Sequence, residues 1–211
     1  MLQLFKRDFQ ASFFSVIGWL LYMVITYVLN MPYLLTYLFV IFFFHAFIFY
    51  LDHKANINRF LISLPVRKSN IVLTRYIFLI ICFIVILVGH VIIDQVADYG
   101  LPYLETSPVN GLTATWLMAM LIGSVAISLP IYYAVKSPNI AAFIQAMLLI
   151  GGTYSYIVIK DNPYIDLSNT FTYFLKFIDI QPYLIPIAFS LVCIPLSYLL
   201  SVWLFEKREG V

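Results

Sequence analysis

The stretch FQASFFSVIGWLLYMVITYVLNMPYLLTYLFVIFFFHAFIFYL, Phe9–Leu51, contains no Asp, Glu, Lys or Arg and is bounded by Asp8 and Asp52. A helix crosses the hydrocarbon layer of a bilayer with about 20 apolar residues, so this run is too long for one crossing and about right for two. Asn30-Met31-Pro32 divides it. Asn favours turns and caps, and Pro, which has no backbone donor, suits the first turn of a new helix. The first two spans are therefore expected at Ala11–Leu29 and Tyr33–Leu51.

The rest of the chain repeats the pattern. Further apolar runs predict spans at Asn70–Ile93, with Ser69 as N-cap, and at Gly111–Val135, broken near its end by Pro130. Two more are expected at Ile140–Ile159 and at Pro182–Phe205, the last interrupted by Pro186 and Pro195. The chain of 211 residues is 63% hydrophobic and 10% charged, against roughly 45–50% and about 25% in soluble domains. The expectation is a single all-helical membrane domain, residues 1–211, with six spans and no appended soluble domain. The apolar N-terminal run follows Lys6 and Arg7 like a signal peptide. No small-residue cleavage site follows it, so it is read as retained.

Before the first span, Leu2, Phe5, Phe9 and Phe13 recur at helical spacing with Lys6, Arg7, Asp8 and Gln10 between them. This predicts an amphipathic helix lying in the membrane interface, or else a simple charged flank of the first span. Bases are distributed unevenly. Lys6, Arg7, Lys54, Arg59, Arg67, Lys68, Arg75, Lys136, Lys207 and Arg208 fall on one side of six alternating spans, and only Lys160 and Lys176 on the other. The positive-inside rule makes the first side cytoplasmic, with both termini inside and a multi-pass plasma membrane location. A net charge of +2, with the bases at segment ends, gives no nucleic-acid footprint. On the outer side, Tyr164–Gln181 is rich in aromatic and aliphatic residues. It reads either as a helix re-entering the outer leaflet or as an interfacial aromatic belt.

Catalytic chemistry finds little purchase. Ionisable groups within spans are His45, and His90 with Asp94, the latter two on one helix face and able to form a proton relay or half a metal site. No further ligands stand at metal-site spacing, and Cys82 and Cys193 sit inside apolar runs as packed or lipid-facing thiols. There is no Gly-x-Ser-x-Gly, no His-Glu-x-x-His and no nucleotide-binding Gly-x-x-x-x-Gly-Lys loop. The chain is expected neither to be an enzyme nor to bind a metal or cofactor.

The charged island Asp52–Arg75 interrupts this hydrocarbon. Ile57, Phe60, Leu61 and Leu64 recur at i, i+3, i+4 and i+7, so a short helix capped by Asn56 and ended by Pro65 is expected, with one apolar face. Such a helix can dock in a partner's groove. It can equally lie on the membrane with Arg59, Arg67 and Lys68 on lipid phosphates.

The run Asn58-Arg59-Phe60-x-x-Ser63-Leu64-Pro65-Val66-x-Lys68-x-x-Ile71-Val72-x-x-Arg75-Tyr76, placed between a second and a third span, resembles the first cytoplasmic loop of ABC type-2 transporter permeases. The resemblance implies a coupling helix, formed by Asn56, Ile57, Arg59, Phe60, Leu61, Leu64 and Pro65 with Arg67 and Lys68. That helix seats in a separate cytoplasmic ABC ATPase subunit, which binds ATP and Mg. It further implies a dimer with a second permease chain and an external helix between spans five and six. Asp52-His53-Lys54-Ala55 is less acidic than the usual lead-in to this loop. Within the family the chain is similar to small permeases of Gram-positive exporters of amphipathic peptides, including those that secrete phenol-soluble modulins. The expected function is export of an amphipathic or hydrophobic substrate, with spans two and five lining the dimer interface and the pathway. Rival readings are the vitamin-binding subunit of an importer and an intramembrane enzyme using His90 and Asp94.

Overall fold

The charge-free run forms two helices, α1 (Leu2–Val28) and α2 (Tyr33–Lys54). Backbone bonds from Leu29 and Met31 to the carbonyls of Ile25 and Thr26 close α1, and the Pro32 carbonyl takes the first bond of α2, from Thr36. Among the described residues four helices follow: α3 (Lys68–Gly100), α4 (Gly111–Ala134), α5 (Pro138–Asp161) and α6 (Leu184–Glu209). The computed structural model describes residues 2–29, 31–54, 67–100, 109–161 and 181–209, with no strand among them. Four helices are long and apolar enough to cross a membrane, namely α2 from Leu35, α3, α4 and α6, while α1 and α5 carry shorter apolar stretches, Ser15–Val28 and Pro138–Gly152. The expected helix at 56–64, and all of the expected external helix but Gln181, lie outside the described residues.

α3 is the axis of the bundle, packing against α1, α4 and α6, while α4 runs along α6 and α2 pairs with α5. Its buried residues Val72, Tyr76, Leu79, Phe83, Ile86 and His90 recur every three or four positions, whereas Ile77, Ile81, Ile84, Val88 and Ile92 face outward. α6 reverses the soluble pattern. It buries Ser197 and Ser201 and exposes Leu191, Val192, Leu196, Leu199 and Trp203, as befits a surface whose solvent is lipid, where small and polar side chains hold helices together.

Two sequence expectations need correction, and the continuity of α1 favours one of the two readings of the N-terminus. α1 is continuous through the segment expected to lie in the interface. Asp8 and Ser12 are buried on its inner face, Phe5 meets Phe78 of α3 edge-on, and Phe9 and Phe13 face outward. The phase of the helix puts Phe5, Asp8 and Ser12 on one side, and a basic partner on α3 holds the acid there. α3 starts at Lys68 with Arg67 before it, so Ser69 falls within the first turn instead of capping it.

The prolines do not break their helices: Pro130 lies inside α4, and Pro195 inside α6. Pro130 has no N–H for the carbonyl of Ala126, four residues back. The Ser197 hydroxyl of α6 donates to that carbonyl at 2.6 Å, and Tyr76 of α3 bonds Ser197 and Ser201 at 2.5 and 2.8 Å. A neighbouring helix thus supplies the missing donor, which is how proline is tolerated in a membrane helix.

Candidate functional site

The chain leaves α2 at Lys54 and re-enters helix at Lys68. Of the residues expected to contact a partner, Asn56, Ile57, Arg59, Phe60, Leu61, Leu64 and Pro65 lie outside the described residues. Arg67 is exposed immediately before α3, its carbonyl accepting from the backbone of Asn70 at 2.9 Å, and Lys68 opens the helix. The two roots of the loop are therefore fixed in the structure.

Between those roots lies a buried cluster of charge. The Arg75 guanidinium, from the second turn of α3, donates to Asp52 in the last turn of α2. Its other terminal nitrogen stands 3.6 Å from the carboxylate of Asp8 on α1. Arg7 donates to the same Asp8 carboxylate through Nε at 3.0 Å and through Nη2. Arg75, Asp52 and Asp8 are each at most 6% exposed. Two acids and two bases balance formally, and the planar fork of arginine suits the sharing of one cation between two carboxylates. Aromatic groups close the cluster. Arg75 lies 5.6 Å from the Phe49 ring centroid, Phe49 stacks on Tyr132 at 4.2 Å, and the buried Tyr133 ring meets Phe49 edge-on at 6.2 Å. Removing water around such charges strengthens their attraction and also makes any unpaired member costly.

The polar groups expected within the membrane are built into the packing. His45 is fully buried on α2, edge-on to Phe83 at 5.5 Å. Its Nδ1 donates to the Ile41 carbonyl at 2.7 Å, which leaves Nε2 as a bare acceptor with no partner among the described residues. His90 and Asp94 share a buried face of α3 towards its other end. The His90 Nδ1 and Tyr37 hydroxyl of α2 are 2.7 Å apart, and the Asp94 carboxylate accepts from the backbone N–H of Val109. The next residue, Asn110, caps α4 by accepting from the Thr113 N–H at 2.8 Å. Asp94 thus seats the start of α4 against α3, the geometry of an anchor. Among the described residues no three His, Cys, Asp or Glu side chains gather as metal ligands.

Asp8, Asp52 and Arg75 are the residues that reasoning from sequence passed over. The signal was present: Arg75 lies inside the expected span Asn70–Ile93, where an ionisable group calls for a partner. Asp8 and Asp52 stand at the two ends of the longest charge-free run, the positions that helical hairpins of this length bring to one level.

The helices and the charge cluster define a polytopic membrane protein whose connection between α2 and α3 is held at its roots by buried ions. The chain belongs to the ABC-2 transporter family: the family model described as ABC-2 family transporter protein matches residues 3–206. No curated protein and no solved structure shows significant similarity to it. Membership makes the chain a membrane subunit of an ABC transporter, working with an ABC ATPase, and the family consists of transport subunits, consistent with a chain that is not itself catalytic.

Proposed function

We propose that this chain is the permease subunit of an exporter that moves an amphipathic or hydrophobic substrate, a peptide above all, out of the cell. All six helices cross the plasma membrane, both termini are cytoplasmic, and two permease chains, identical or sister, pair with two ATPases. Residues 56–65 form the coupling helix, and Ile57, Arg59, Phe60, Leu61 and Leu64 carry the movement of the ATPase into α2 and α3. The observation that carries this reading is the family match along 3–206. The ten-to-two asymmetry of bases supports the orientation.

Support for an apolar cargo comes from the outer-facing side of α2 and α5. A groove of about 390 Å³ there is lined by Leu35, Leu38, Phe39, Phe42, Phe43, Ala146, Leu149 and Ile150. Phe39 and Phe43 stack at 5.9 Å and offer a flat aromatic wall. A wall without charge suits the apolar face of an amphipathic helix better than it suits a polar solute.

Co-expression with candidate ABC ATPases tests the proposal. The chain is expected to co-purify with one of them and to change its rate of ATP hydrolysis. A double variant, Arg59→Glu with Phe60→Asp, is expected to insert normally and lose that coupling. Normal coupling in the inserted double variant refutes the docking role of the loop.

A further inference from the structure

We infer that Asp8, Asp52 and Arg75 form an ionic clasp that makes α1, as well as α2 and α3, a recipient of movement arriving through the 55–66 connection. This rests on the proposal that the ATPase acts through that connection.

A link between the two roots alone needs only the pair Asp52–Arg75. The third member changes what the link can do. Arg75 shares its guanidinium between Asp52 of α2 and Asp8 of α1, with its terminal nitrogens directed to one carboxylate each. α1 does not adjoin the 55–66 connection in sequence, being joined to α2 at the opposite end of that helix, and its contact with α2 is slight beside its contact with α3. The clasp is the polar part of that α1–α3 contact, and Phe5 against Phe78 at 6.0 Å is the apolar part beside it. A displacement of the α3 root that left α1 behind would leave the Asp8 carboxylate with Arg7 as its one cation and would take from the buried Arg75 guanidinium one of its two acids. The charges therefore move together. Buried ion pairs add little net stability compared with well-packed apolar groups, whereas they fix register and orientation between elements. That is the property a transmission joint requires. Asp8, Asp52 and Arg75 are accordingly positioning residues, touching neither nucleotide nor cargo.

The test uses the complete transporter, with its ATPase, in lipid nanodiscs, and reads movement trapped by ATP and vanadate with pairs of nitroxide labels. Cys82→Ala and Cys193→Ala clear the background. One pair, Ile77→Cys with Leu199→Cys, follows the α3 root against α6. The other, Ile25→Cys with Leu184→Cys, follows the far end of α1 against α6. All four positions are exposed. In the wild-type transporter both distances are expected to shift on trapping. In Asp8→Asn the root pair shifts as before while the α1 pair shifts by roughly a third of the wild-type change or less, and Asp8→Glu restores it. An α1 pair that shifts in Asp8→Asn as in wild type overturns the clasp and leaves the coupling proposal standing. A root pair that stays still in the wild-type complex overturns the coupling proposal and the clasp with it. Should Asp8→Asn fail to insert, Arg75→Lys decides the question by the same comparison, because it keeps the charge and lacks the fork that reaches both acids.

Discussion

The two ends of α3 solve the same problem in different ways. At one end Arg75 meets Asp52 and Asp8, so that formal charges join three helices. At the other, His90 meets the Tyr37 hydroxyl, and Asp94 takes a backbone N–H of Val109, each contact linking α3 to one neighbour by hydrogen bonding. All of these groups are buried. A full ion pair in a dry site is stiff and tolerates no missing member, whereas a hydrogen bond in membrane surroundings contributes modestly and can be exchanged. The contrast assigns transmission to the charged end and anchoring to the other.

Substitutions test the contrast by size of effect. Arg75→Gln strands the buried Asp52 carboxylate, leaves Asp8 with Arg7 alone, and is expected to cost about 3–5 kcal/mol, read as a collapse of membrane yield and of thermal stability in detergent. A loss no greater than that of the substitutions at the far end would erase the distinction. Asp94→Leu leaves the Val109 N–H buried without an acceptor, and a loss of about 1–3 kcal/mol is expected in the same assay. Tyr37→Phe removes one partner of His90 at a cost of about 1 kcal/mol, with the transporter's ATPase stimulation retained. Smallest of all, Ser197→Ala between the two ends takes a donor from the Ala126 carbonyl, for about 0.6 kcal/mol by the average for hydrogen bonds between membrane helices.

Much of the fold was legible because membrane crossing imposes length. The unbroken run Phe9–Leu51 and the divider Asn30-Met31-Pro32 locate the first two helices to within a few residues at most ends, apart from the extension of α1 to Leu2. Proline misled, since its missing donor breaks a helix in water but not where Ser197 of another helix lies ready; nothing local to Pro130 announces a serine so distant in sequence. Of the two readings of the N-terminus, the continuous α1 favours the charged flank of the first span over a separate interfacial helix, for a related reason. Phe9 and Phe13 do make a lipid-facing stripe, but Asp8 answers to Arg75 on α3, and pairing at that separation leaves no periodicity to read. The spacing of His90 and Asp94 correctly placed them on one face. Their partners, a tyrosine on α2 and a backbone N–H before α4, were invisible to spacing alone. The site residues expected at 56–65 lie outside the described residues, and their flanks, Lys54, Arg67 and Lys68, are placed.

The donor that Ser197 gives to Ala126 lies 71 residues further along the chain, so this bond closes only late in synthesis. α4 leaves the ribosome well before α6, so through the intervening synthesis it carries an open carbonyl opposite Pro130, and Tyr76 lacks both of its serine partners. Chains halted before Ser197 reach the bilayer with this triple junction open.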